Sequence, residues 1–134
     1  MSADPVLAPT DLACLLDACR STLATCSHPS VKVAAAVSDS NGAIHSGVQV
    51  RSTNCGHCAT CAEPVAIGAA LAAGAITLLA CVAMVRDHDG ARVWSPCGTC
   101  REVLRDYGVR TVVVAQTPDG HPITANPDDL LPWP

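Results

Sequence analysis

The sequence predicts a layered α/β domain, and three observations predict it. β-prone runs at residues 31–37, 44–50, 78–85 and 110–115 alternate with helix-like segments. Each run is bounded by a turn or stop signal. No internal repeat or linker divides the 134 residues, a length at which one core forms without disulfide staples. Apolar residues make up 49% and charged ones 15%, the balance of a folded and heavily buried chain. The low charge also hints at surface covered by other subunits.

Residues 1–9 carry Pro5 and Pro9 and read as a flexible tail, leaving residues 10–134 as the single domain. Thr10 is placed to cap a helix from Asp11, with Leu12, Leu15, Leu16 and Cys19 along one face. His28-Pro29 ends that region. The runs 31–37 and 44–50 flank Asn41-Gly42, a strong hairpin signal. A polar, cysteine-rich loop at 52–60 leads into a helix from about Ala62, stopped at Gly74. Asp89-Gly90 marks a turn after the run 78–85. Ser95-Pro96 introduces a helix over 97–107 that Gly108 stops. Asp119-Gly120 marks another turn, and residues 127–131 suit a short terminal helix.

Residues 65–85 contain no charge and are long enough to span a bilayer. Gly68 and Gly74 interrupt them, and the second half turns β-prone, so a membrane span is not expected. The net charge is -4 and the aromatics are Trp94, Tyr107 and Trp133, with no basic stripe or row of stacking rings. That argues against a nucleic-acid polymer as partner and for a small molecule. Residues 1–9 lack the basic start and apolar core of a secretory leader, so the expected location is cytoplasmic. There the nine cysteines point to metal or reactive chemistry rather than to disulfides. Cys14, Cys19, Cys26 and Cys81 read as small core residues.

Two segments carry the chemistry: Cys61-Ala62-Glu63 and Pro96-Cys97-Gly98-Thr99-Cys100. Cysteines three apart at a helix start share one face, and the free N–H groups and dipole of two helix N-termini favour thiolates. Cys61, Cys97 and Cys100 are thus candidate zinc ligands, and three protein ligands leave a fourth position for water. Zinc lowers the pKa of water, and Glu63, two residues from a ligand, is spaced to take the proton. Hydrolytic deamination of a cyclic amidine needs such a set, with the glutamate later protonating ring nitrogen and leaving amine. A rival reading joins Cys58-x-x-Cys61 to Cys97-x-x-Cys100 as the four-cysteine site of a non-catalytic structural zinc module, which Cys55 extends. Glu63 has no use in such a site.

Thr60-Cys61-Ala62-Glu63 followed by Val65-Ala66-Ile67, and Ser95-Pro96-Cys97-Gly98-Thr99-Cys100-Arg101, resemble the small homotetrameric cytidine deaminases and blasticidin-S deaminases. The run 32–37, Asn41-Gly42, Gly47-Val48 and Leu130-Leu131-Pro132 extend the likeness from about residue 10 to the end. The resemblance implies a three-layer α/β/α fold with a five-stranded mixed sheet, one zinc per subunit on Cys61, Cys97 and Cys100, Glu63 as acid and base, and a homotetramer whose sites neighbouring subunits complete. It also makes Gln49, Arg51, Ala62, Pro96 and Trp133 candidate substrate contacts.

Departures from that family bear on the substrate. Where it has an Asn-x-Glu pair that grips ribose, this chain has Gln49-Val50-Arg51. Arg51 either meets a carboxylate, as in blasticidin S, or is a solvated strand end. Pro64 stands where many relatives have an arginine that offsets thiolate charge, and Arg101 either takes over that task or lies at the surface. His57 and Cys58 either contact substrate or are incidental, and Trp133 either covers the base or packs between subunits. The expected substrate is cytidine, deoxycytidine or a nucleoside antibiotic such as blasticidin S. The same zinc chemistry on another amino-heterocycle or cyclic amidine is the alternative.

Overall fold

Helix α1 spans Pro9–Thr25 in the computed structural model, which describes residues 9–132. It begins two residues before the expected Asp11, because a proline fits a first helical turn, where its missing N–H has no partner to lose. Thr10 therefore lies within the helix and not at its cap. Residues 1–8 of the expected tail, and Trp133, lie outside the described residues. Leu15, Leu16, Cys19 and Leu23 form the buried stripe of α1. Cys81 is buried like Cys19 and the half-buried Cys26 packs against the core, but Cys14 is exposed, so one of the four cysteines expected in the core is not there. Cys14 sits off the apolar stripe of α1. The Cys19 thiol donates to the Ala34 carbonyl at 3.3 Å, and burial pushes its pKa up to about 12.

The expected hairpin forms from β1 (Val33–Asp39) and β2 (Ile44–Val48). The Asp39 carboxylate accepts from the Asn41 and Ala43 amides at 2.8 and 3.0 Å, and Gly42 takes the φ of +84° that the turn requires. Then follow α2 (Ala62–Ala72), β3 (Leu78–Asp87), β4 (Gly90–Val93), α3 (Gly98–Asp106), β5 (Thr111–Gln116) and β6 (Pro122–Ala125). A 3-10 turn at Pro127–Leu130 closes the described chain where a short helix is expected. The apolar run 65–85 splits at Gly74 between α2 and β3, and no described helix is long and apolar enough to cross a membrane.

The sheet is mixed, in the order β2-β1-β3-β5-β6, with β4 also paired to β3. The long β3 runs parallel to β5 along its first half and antiparallel to β4 along its second. There are thus six strands, not the five expected. The strands unread in the sequence, β4 and β6, have four residues each and no fully buried position, too short for a clear apolar run.

Alternation along the central strands builds two cores. Ala34 and Ala36 of β1, with Ala80, Val82 and Met84 of β3, pack under α1. Ala35, Val37, Cys81 and Ala83 face the other way, against Ala62, Ala66, Ile67 and Ala70 of α2 and Leu104 of α3. The result is the expected three-layer α/β/α arrangement. Small residues bring α2 close to the sheet. The tightest contact is at Gly47, where a Cβ would stand 2.5 Å from the Ala66 nitrogen.

Candidate active site

Two helix starts converge on one edge of this second core. Cys61 is the N-cap of α2, with φ -65° and ψ 159°, and Cys97 is the N-cap of α3, with φ -68° and ψ 170°. Neither side chain caps its own helix, which leaves both sulfurs free for another ligand. Glu63 lies in the first turn of α2, and Cys100 in the first turn of α3. Cys100 is fully buried and Glu63 is 4% exposed, so the carboxylate is held in the protein interior and not on a solvated face.

The Cys61 and Cys97 sulfurs stand 3.7 Å apart, and all three sulfurs lie within 4.8 Å of one another. Tetrahedral zinc with Zn–S bonds of about 2.3 Å places its sulfurs roughly 3.8 Å apart. The donor set therefore fits zinc in both chemistry and spacing. Burial pushes the Cys100 thiol far up, helped by the charge of Glu63. Burial, relieved in part by Cys100, also raises Cys61. Cys97 is burdened by burial too, yet hydrogen bonds from the Cys100 amide and from the Cys100 and Cys61 thiols outweigh it and lower its pKa. Thiolates at such a place need a cation to neutralise them. Burial likewise raises the Glu63 carboxyl.

A cavity of about 300 Å³ opens beside this cluster. Its lining includes Cys61, Ala62, Glu63 and Cys97 from the two helix starts, and the segments Gln49-Val50-Arg51 and Ala59-Thr60. These two segments are joined by a two-bond bridge: the Val50 amide donates to the Thr60 carbonyl at 2.9 Å, and the Thr60 amide returns the bond at 2.7 Å. The Gln49 side-chain carbonyl accepts from the Lys32 amide at 3.0 Å, so that oxygen is already engaged. Val33 and Trp94 complete the lining. Trp94, not singled out from the sequence, directly precedes the Ser95-Pro96-Cys97 motif, and that adjacency was the available signal.

Pro96 is not among the residues lining the cavity. Its carbonyl instead accepts from the Arg101 Nε at 2.9 Å. The same guanidinium donates to the Leu130 carbonyl at 3.1 Å and to the Ser95 hydroxyl at 3.4 Å. Arg101 thus ties the loop before α3 to the C-terminal turn. His57 is exposed on a 3-10 turn, Gly56–Cys58, away from the cavity lining.

That turn corrects one expectation and weighs against the rival four-cysteine reading. It brings the Cα atoms of Cys55 and Cys58 to 5.3 Å, within disulfide range, and the two are bonded. A disulfide is therefore present where none was expected, and Cys58 is not part of the sulfur cluster. Among the described residues that cluster consists of Cys61, Cys97 and Cys100.

Three sulfurs meeting from two helix starts beside a buried carboxylate, on an α/β/α sandwich, define a candidate metal-dependent hydrolase. Residues 10–116 match the family model described as the cytidine and deoxycytidylate deaminase zinc-binding region. The chain is 31% identical over 105 residues to a blasticidin-S deaminase of Bacillus cereus, covering 75% of this chain and 74% of that protein. Among solved structures, cytidine deaminase from Mycobacterium leprae superposes with a TM-score of 0.72 at 27% identity, covering 91% of this chain and 98% of that one. Cytidine deaminase from Burkholderia pseudomallei gives 0.71 at 27% identity, covering 90% and 95%. The chain belongs to the cytidine and blasticidin-S deaminase family. Membership makes it a deaminase of the zinc type, with cytosine-like compounds as its substrate class.

Proposed function

We propose that this chain is a zinc-dependent hydrolase that replaces the exocyclic amine of a cytosine-type nucleoside, or of a nucleoside antibiotic such as blasticidin S, by a carbonyl. The observation that carries the reading is that buried Glu63 lines the same cavity as Cys61 and Cys97. Cys61, Cys97 and Cys100 would hold one zinc per subunit. Bound there, zinc supplies a Lewis acid that makes water nucleophilic near neutral pH.

The remaining work falls to the chain itself. Glu63 accepts a proton from the attacking water and passes it to the ring nitrogen, then takes the proton of the newly added hydroxyl and gives it to the departing amine as the carbonyl forms. One water enters and one ammonia leaves, so the carboxylate ends as it began. Ala62 lines the wall beside Glu63 without a bulky side chain, leaving room for a planar ring. Gln49 and Arg51 line the same cavity, and the ring's substituent would lie beside them. Trp94 offers an aromatic face at the same cavity. Assembly as a homotetramer belongs to the same reading; its support is exposed apolar surface at Leu71 and Ile76, the latter 94% exposed.

The test is ammonia release, with loss of the cytosine absorbance, from cytidine, deoxycytidine and blasticidin S. Glu63→Gln should keep its zinc and lose turnover by about 10²-fold or more. Absence of turnover on all three compounds would overturn the cytosine reading and leave another amino-heterocycle or cyclic amidine as the substrate.

A further inference from the structure

Charge is unevenly placed within the cavity. Glu63 is buried, whereas Arg51 is exposed and is the one cation among the residues that line it. The position of Arg51 is set by the bridge between Val50 and Thr60. In antiparallel register Gln49 falls opposite Cys61, and Arg51 opposite Ala59. Both arms of this bridge, residues 49–51 and 59–61, line the one cavity, which places Arg51 in the same lining as Cys61.

Two neighbouring arginines are committed. Arg92 lies over the Trp94 ring at 5.0 Å. Arg101 is spent on three acceptors between Ser95 and Leu130. Arg51, in contrast, has no hydrogen-bond or ion-pair partner among the described residues. The chain carries a net charge of -4, and the cavity also holds a carboxylate and two cysteine sulfurs. An anion approaching such a cavity would be repelled unless a cation stood at its mouth. A guanidinium there matches the planar fork of a carboxylate or the oxygens of a phosphate, and has no comparable preference for neutral hydroxyls.

The geometry points to Arg51 as a specificity-determining residue that selects substrates carrying an anionic group, a carboxylate or a phosphate, on the part of the molecule outside the reacting ring. This rests on the deaminase reading above, because the ring must enter amine-first toward Glu63 for its substituent to face Arg51. Cytidine supplies a neutral substituent, cytidine 5′-monophosphate a phosphate, and a cytosine nucleoside with a uronic-acid sugar a carboxylate.

The experiment compares kcat/KM for these three compounds in the wild type and in Arg51→Glu, a variant of an exposed residue with no internal partner to lose. The wild type should favour at least one anionic compound over cytidine. Charge reversal should lower the anionic-to-neutral ratio by about 10- to 100-fold, the effect of losing a charge-assisted contact. The uronic-acid and phosphate arms tell which anion fits. Calorimetric binding of the same compounds to Glu63→Gln and to Glu63→Gln/Arg51→Glu reads the contact without turnover. Absence of turnover with a binding difference that depends on Arg51 would overturn the cytosine chemistry and support the anion site. Turnover with an unchanged ratio, or equal binding in the two proteins, would overturn the role of Arg51.

Discussion

Replacing Gly47 by alanine tests how firmly α2, and with it Glu63, is seated on the sheet. A Cβ at that position would lie 2.5 Å from the Ala66 nitrogen, 2.8 Å from the Val65 carbonyl carbon and 2.9 Å from Val65 Cγ1. Ordinary contact starts near 3.4 Å, so the shortfall at the closest atom is about 0.9 Å. Two of the three atoms are backbone, and no rotamer change can move them. The helix must shift bodily by close to that distance. Overpacking of this kind costs about 1–3 kcal/mol. Glu63 lies one turn before Ala66 in the same helix and is carried along. A displacement of about 1 Å at a reacting group costs on the order of 100-fold in rate. Urea denaturation should therefore show a lowered midpoint with an unchanged slope, and ammonia release should fall far more than the folded fraction does. Turnover and midpoint both within twofold of wild type would refute the claim that this glycine locks the helix to the strand.

Cys58→Ala should keep zinc in a metal assay while Cys100→Ala loses it; loss of zinc from Cys58→Ala would instead favour a four-sulfur structural site. Titration of the denatured, metal-free protein without reductant should give seven thiols of nine cysteines, since Cys55 and Cys58 are paired, and nine would show that pair reduced. The hydrogen bond between the Asp39 carboxylate and His45 Nε2, at 2.8 Å, holds the Asp39 carboxyl below its usual range, with the Ala43 and Asn41 amides assisting. A carboxylate with a depressed folded pKa adds stability in full above its unfolded value, about 3.9, and loses it as the pH falls through the folded one. Asp39→Asn should accordingly be less stable than wild type at pH 6 to 7, with the gap closing on acidification below about pH 4; a gap that stays constant with pH would contradict the assignment.

Local spacing made much of the site legible. Cys97 and Cys100 are three apart behind Ser95-Pro96, and Cys61 and Glu63 two apart at another helix start, so each pair's place on its own helix follows from the chain alone. The hairpin around Asn41-Gly42 and the breaks at Gly74 and Gly108 are local in the same sense, and the structure places positive-φ glycines at all three. The partner of Cys58 was not legible. It lies three residues from both Cys55 and Cys61, and the two spacings are identical in sequence. A single 3-10 turn over Gly56–Cys58 directs it to Cys55. β4 and β6 escaped notice because four partly buried residues are too short a run to stand out from the turns beside them.

What the sequence determined by itself was the three helices, the four longer strands and the chemistry carried at each helix start, because capping, turn preference and helical spacing act within a few residues. Only the tertiary structure decided what those pieces face. Cys61 meets Cys97 across 36 residues of chain because α2 and α3 pack on the same side of the sheet. Arg51 reaches the same cavity because Val50 pairs with Thr60. Those meetings are fixed by the order of the strands and by alanine- and glycine-sized gaps that let the helices come close, and neither is written in any short stretch of residues.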